Sequence, residues 1–215
     1  MLPIYFVRRR AVLLAFLFGA ASAAPSHAQE ARRRWDRLCQ IREDKFDRIL
    51  PEVMRENKID MWVVAQKEGH NDPLYEDLGR GYTGSIGYYV FTDRGTGRIE
   101  RAALGITGGM LEQCAVYDQV SGDADLAAYV TARNPTRIGI NTSDEIGAAD
   151  GLSHTLYLHL TRTLGPRWSG KFVSAEKLVS DFRSRHVASE LVVFGEAGEL
   201  SRTIAERALS NEVVI

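Results

Sequence analysis

Residues Gly79-Arg80-Gly81-Tyr82-Thr83-Gly84 spell the G-x-G-x-x-G pattern of dinucleotide-binding loops. That chemistry needs a strand before the glycines and a helix after them, so that a helix N-terminus faces the pyrophosphate. Here a polar stretch precedes and an aromatic, β-branched run follows. The segment is read as a flexible entry into a strand. A glycine loop leading into a strand also occurs in kinases, but no catalytic-loop or magnesium motif follows it. His154 and His159 are five residues apart, which on a helix leaves their rings about 140° apart. Metal-ligating pairs sit three or four apart, so these are read as independent histidines. His70-Asn71-Asp72-Pro73 is turn chemistry, read as a bare turn or as a loop facing a ligand. His186 opens the last helix without an evident partner. No Gly-x-Ser-x-Gly elbow, His-Glu-x-x-His, Cys-x-x-Cys or calcium-loop spacing occurs. Asn141-Thr142-Ser143 obeys the glycosylation rule by chance. No residue is assigned a catalytic, cofactor-binding or metal-ligating role.

The two cysteines, Cys39 and Cys114, stand 75 positions apart and form no disulfide framework. Two separate buried thiols are expected, although an oxidising compartment would permit a bridge. A cysteine nucleophile would need a positioned base, and none is evident.

The N-terminus predicts an export signal over residues 1–28. Arg8, Arg9 and Arg10 form a basic start, Ala11 to Ala24 an uncharged apolar run, and Ser26-His27-Ala28 a cleavage site. The run is shorter than the ~20 residues a bilayer span needs. No stable membrane anchor is therefore expected, and the protein is placed in the periplasm or outside the cell. Arg9-Arg10-Ala11-Val12-Leu13 also fits a loose twin-arginine pattern, which would mean export after folding.

Without the three leader arginines, the 27 basic residues become 24, against 28 acidic ones. A mildly acidic chain argues against nucleic acid, whose phosphates demand clustered Lys and Arg. Arg32-Arg33-Arg34 is the one basic cluster, and it reads as a solvated helix face. Hydrophobic residues at 45% and charged ones at 26% are those of a globular protein.

Periodicity then places the elements. Ala31 to Lys58 is helical, with a kink or fresh start at Pro51. Asp60 to Ala65 is a buried strand. Residues 66–85 form a long polar segment, of the kind that is functional or covers something. Ile86 to Thr92 and Arg98 to Leu104 make a hairpin around Asp93-Arg94-Gly95-Thr96-Gly97. Ala115 to Val120 is a strand and Asp123 to Arg133 a helix, with Asp123 or Asp125 near its start. Arg137 to Asn141 is a strand, Leu152 to Leu164 a helix, and Gly170 to Val173 a strand. Ser174 caps a helix from Ala175 to Phe182. Val187 to Ser210 is a last helix with an apolar stripe at Val187, Leu191, Phe194, Ile204, Ala208 and Leu209. Alternation of strands and helices means an α/β fold: a layered mixed β-sheet with flanking helices and one C-terminal helix.

The order of these segments resembles the N-terminal domain of the creatinase and Xaa-Pro aminopeptidase, or pita-bread metallopeptidase, superfamily. Phe46 to Val64 is similar to its opening, where a helix enters the first strand through a junction such as Ile59-Asp60. Arg137 to Ser143 resembles its Arg-hydrophobic-Gly strand. Asp150-Gly151-Leu152-Ser153 before a helix, and Lys171 to Ser184 at the domain's end, fit the same pattern. Glu190, Ala197 and Ala208-Leu209-Ser210 look like the first helix of the catalytic domain. The resemblance spans Trp35 to Ile215 and implies a ribonuclease H-like domain over 29–184. Residues 185–215 would be a linker and the start of a catalytic domain.

The family binds two divalent metals through two Asp, one His and two Glu in that catalytic domain. Those positions would lie beyond Ile215, so none is carried over, and the chain alone is expected to be inactive. A homodimer through the N-terminal domain, and short peptides as substrate where a catalytic domain is present, are what the resemblance implies. The last helix is then expected to expose its stripe. A free-standing periplasmic binding or interaction module, with residues 66–85 as contact surface, is the other reading.

Overall fold

The computed structural model describes residues 27–210; the export signal as far as Ser26 and the stretch from Asn211 to Ile215 lie outside them. The chain divides at Arg37 into two units. The described part of the first is an exposed helical stretch laced by pairs such as Arg34–Glu30 (2.8 Å) and Arg32–Asp36 (3.0 Å). The rest concerns the second unit, from Leu38 onward.

Helix α1 (His27–Asp44) runs into a wider π turn, Lys45–Ile49, and then α2 (Leu50–Glu56). Pro51 sits in the first turn of α2, where its missing N–H costs nothing. A π turn that buries Phe46 falls just before the proline, and α2 starts afresh after it. The elements that follow are β1 (Met61–Lys67), the single-turn α3 (Tyr75–Leu78), β2 (Tyr82–Asp93), β3 (Ile99–Thr107), the short α4 (Gly109–Gln113) and β4 (Gln119–Ser121). Then come α5 (Leu126–Arg133), β5 (Ile138–Ile140), α6 (His154–Ser169, kinked at Gly165-Pro166), β6 (Phe172–Ser174), α7 (Glu176–Ser184) and α8 (Ala188–Ala208).

The sheet order is β4-β3-β2-β1-β5-β6. β1, β2 and β3 pair antiparallel, while β1–β5, β5–β6 and β3–β4 pair parallel. The fold is therefore a layered α/β domain with a mixed sheet, as its sequence predicts. β1 explains the layering. Met61 to Ala65 are all buried, and side chains alternate between faces. Trp62 and Val64 meet Phe46, Leu50, Val53 and Phe182 on one face. Met61, Val63 and Ala65 meet Leu126, Val130, Leu156 and Leu160 on the other. A strand buried on both faces reads as an unbroken apolar run.

Two expectations need correction. Cys39 and Cys114 are joined in a disulfide, because the second half of α1 lies across the end of α4. The spacing in sequence carries no trace of that approach. The segment 66–85 is not one long loop: Gln66 and Lys67 finish β1, α3 fills the middle, and β2 begins at Tyr82. Its polar composition hid this because several of its polar groups, Gln66, Asp72 and Thr83, are buried with partners.

Candidate functional site

Two stretches that the sequence singles out, His70 to Pro73 and Gly79 to Gly84, lie together beside the far end of β1. A tight turn, closed by His70 N–H to the Lys67 carbonyl (2.9 Å), lifts the chain off the strand. Asp72 then folds back inward and is only 3% exposed. One carboxylate oxygen accepts the Leu74 N–H (2.9 Å), the Asx turn that Asn-Asp-Pro predicts. The other accepts Asn141 Nδ2–H (3.0 Å), and Asn141 Oδ1 accepts the Trp62 indole N–H (2.8 Å). A buried polar chain thus runs from the core of β1, through the end of β5, to the loop. Gly151 completes the socket: a Cβ there would stand 1.9 Å from Asp72 Oδ2.

Burial pushes the Asp72 carboxyl up to about 6, against the pull of its bonds to Leu74 and Asn141 and of the nearby His70. Behind it, the Arg42 guanidinium of α1 donates to the carbonyls of Asp77 (3.1 Å) and Glu76 (3.1 Å), closing the C-terminal end of α3. Tyr89 and Tyr117 donate their hydroxyls to the Gly79 and Leu78 carbonyls at 2.6 and 2.7 Å. Burial raises both phenols, so they remain neutral donors.

The outer side of this segment lines an open groove of about 390 Å³. Asn71, Tyr75, Arg80 and Tyr82 form one wall, and Gly108 to Met110 the other. Tyr82 is 67% exposed. Arg80 is held by Glu76 at 2.7 Å. The groove offers a phenol face, hydrogen-bonding groups and one guanidinium, but no His or Cys. Glu68 adds a carboxylate, and two of the lining hydroxyls are committed elsewhere, Tyr75 to the Gly81 carbonyl (3.0 Å) and Thr83 to Gln66 (2.5 Å).

The glycine fingerprint contributes to this wall in its own way. Gly79 ends α3 and Tyr82 starts β2, so no helix follows the glycines. A Cβ on Gly81 would meet Ile106 Cγ2 at 2.5 Å, so close strand packing explains that glycine. The structure keeps the histidines apart. His159 Nε2 bonds the Tyr88 hydroxyl (3.0 Å), and His186 Nδ1 bonds Glu190 (3.0 Å). His154 is exposed at the start of α6, and His70 is exposed on the turn. Asn141 is 1% exposed with its amide committed to Asp72, so the folded chain presents no acceptor at that sequon. Among the described residues no group of three or more His, Cys, Asp or Glu is arranged to hold a metal ion. Sequence reasoning missed the Asp72–Asn141–Trp62 chain, although Asn-Asp-Pro was a turn signal. Its other members lie 69 and 10 positions away in sequence, and only the β1–β5 pairing joins them.

A second feature is α8. Its entry is anchored: Val187 is buried, Ser189 donates to Asp44 (2.6 Å), and Lys45 faces Glu190 (3.7 Å). Beyond that turn it buries nothing. The apolar stripe expected of the last helix is exposed, with Phe194 at 50% and Ile204 at 60%.

What fold and site define together is a layered α/β domain with a lined groove and an uncovered helix. Comparison with family models, curated proteins and solved structures gave no match.

Proposed function

We propose that this chain is a non-catalytic α/β domain of the kind that precedes the metal-binding domain of exported Xaa-Pro aminopeptidase-like metallopeptidases. It acts as a cover and an assembly element. The peptide-bond chemistry would belong to a metal-holding partner domain, where a metal-activated water hydrolyses short peptides. The site of action is the periplasm or the exterior. The leader's composition supports that placement, and among the described residues no helix is long and apolar enough to cross a membrane.

One observation carries the reading. Three of the segments that resemble the superfamily in sequence, Phe46 to Val64, Arg137 to Ser143 and Lys171 to Ser184, pack together. The carboxylate of Asp60, in the Ile59-Asp60 junction, accepts Thr136 N–H (2.7 Å), Thr136 Oγ–H (2.7 Å) and Arg137 N–H (2.7 Å). It thereby fixes the start of β5 beside β1. β6 adds to β5 in parallel, and α7 lays Leu178, Val179 and Phe182 into the same core as Phe46 and Leu50. The resemblance is thus to one contiguous subassembly.

The test uses the mature chain with Mn²⁺ or Zn²⁺ and an Xaa-Pro tripeptide. No hydrolysis is expected from the chain alone. Added in trans to a metal-loaded pita-bread catalytic domain stripped of its own N-terminal domain, it should narrow cleavage toward short peptides. Turnover by the isolated chain, or stoichiometric tightly held metal, overturns the non-catalytic assignment. Absence of any effect in trans overturns the family assignment.

The groove favours a second reading, a free-standing binding module. Saturable binding of a short peptide, lost in Tyr82→Ala, would support it over the first.

A further inference from the structure

The Cys39–Cys114 bridge stands where α1, α3 and α4 meet. On α1, Cys39 and Arg42 are three residues apart and so share one face of the helix. That face meets the end of α4, which Cys114 closes. The buried Arg42 guanidinium donates in two directions. Nη1 points to Cys114 Sγ (3.3 Å), while Nε and Nη2 hold the Asp77 and Glu76 carbonyls of α3 (3.1 Å each). α3 carries Tyr75 of one groove wall, and its Glu76 holds Arg80 of the same wall at 2.7 Å. Gly109 and Met110, at the start of α4, belong to the other wall. One sulfur–sulfur bond and one guanidinium thus tie both walls to α1.

The chain beside the bridge is strained. Ala115 has a φ of 50°, in the left-handed region that a residue with a Cβ enters at a cost. Its N–H bonds the Glu112 carbonyl (3.0 Å), and Val116 after it is buried. The turn is therefore held between the bridge on one side and the core on the other. Such strain persists only where the surroundings over-determine it.

We propose that Cys39–Cys114 is a redox latch on the groove walls: a dithiol reductant opens it by attack on Cys39, and Cys114 leaves as a thiolate facing Arg42. Both cysteines are half-buried, so access does not choose between the sulfurs. The guanidinium does, because the sulfur that better carries negative charge leaves faster. The reductant's first thiolate bonds Cys39 Sγ as the Cys39–Cys114 bond breaks, and the electron pair goes to Cys114. The reductant's second thiol then displaces Cys39 from the mixed disulfide. Two electrons have passed to the protein, which holds two reduced cysteines, and the reductant ends as a disulfide. Opening frees the turn at Ala115 and leaves α4 seated by the buried Leu111. Tyr89 and Tyr117 still hold the Gly79 and Leu78 carbonyls, so α3 loosens less than α4. The inference rests on neither the peptidase nor the binding-module reading, since its readouts need no ligand.

The oxidised chain, exposed briefly to glutathione, quenched in acid, alkylated and mapped by mass spectrometry, tests the direction. Glutathione should sit on Cys39 and the alkyl group on Cys114; the reverse overturns the assignment of the leaving sulfur. In the reduced chain, alkylation of Cys114 at neutral pH should slow about tenfold in Arg42→Met and less in Arg42→Lys. Equal rates in wild type and Arg42→Met overturn the role of Arg42. Ala115→Gly should slow opening by dithiothreitol severalfold, and an unchanged rate overturns the part given to strain. Reduction of the wild-type chain should quicken amide exchange over residues 108–117, less so over 75–82, and leave β5 and α7 constant. Exchange that does not change, or that quickens equally throughout the domain, overturns the latch. The trapping and exchange experiments use the wild-type chain, so neither depends on a variant that folds.

Discussion

Helices α7 and α8 are neighbours in the chain and both carry large apolar side chains, yet they end in opposite circumstances. α7 has nine residues and buries Leu178, Val179 and Phe182 completely. α8 has 21 and buries none. The difference lies in what awaits each apolar face. Phe182 arrives where Trp62 and Phe46 already stand, with ring centroids 6.1 and 6.2 Å away. Polar contacts then fix its register: Asn57 donates to Asp181 at 3.2 Å and Arg185 pairs with Glu56. After its first turn α8 has no such surface beneath it. Amphipathic spacing specifies which side of a helix seeks cover, and the covering surface has to come from elsewhere.

Truncating the two phenylalanines sharpens that contrast most. Phe182→Ala should cost about 3–5 kcal/mol of folding stability through lost burial and the cavity left behind. Phe194→Ala should leave the urea midpoint of the dilute monomer unchanged. Equal losses in the two variants would erase the comparison. Next in size is the Cys39–Cys114 bridge, which ties α1 to the sheet domain. Reduction, or Cys39→Ser with Cys114→Ser, should cost about 2–4 kcal/mol, because the bridge closes a long loop in the unfolded chain. Circular dichroism of α8 should be indifferent to it.

The Asp72 socket sets the third effect. Its folded carboxyl holds a proton up to about pH 6, against an ordinary value of 3.8. The native state therefore binds the extra proton between those values. The contribution of Asp72 to stability is fully present below about pH 4 and is lost as pH rises through 6, by at most about 3 kcal/mol. Asp72→Asn should flatten that slope, read as urea midpoints at about pH 4 and about pH 7. A difference between wild type and Asp72→Asn that does not change between those two pH values would sink the account of a buried carboxyl without an ion-pair partner. The smallest expected loss is Asp60→Ala, at about 1–3 kcal/mol, which leaves the Thr136 and Arg137 amides without their acceptor. Amide exchange should then quicken in β5 and stay constant in α8.

The elements were legible where a local pattern decided them. Met61 to Ala65 announced a doubly covered strand, and the Asp93–Gly97 turn announced the hairpin. Ser174 does accept the Glu176 N–H (3.1 Å), as its place before α7 implied. The segment 66–85 was misjudged because burial of Gln66, Asp72 and Thr83 depends on partners supplied by other elements. The glycine fingerprint was rejected because a strand, not a helix, follows it, and β2 is that strand; the helical turn α3 before it was not expected from the polar composition.

By itself the sequence determined the class of fold, since a period of two or of three to four residues is a property of neighbours along the chain. It also determined that the last helix carries large apolar residues. Only the tertiary structure decided that Cys39 meets Cys114, that Asp72 reaches Asn141 and Trp62, and that α7 is covered while α8 is not. Those outcomes depend on which strands pair and where helices land, and contacts between distant residues leave no periodic trace in the chain that makes them.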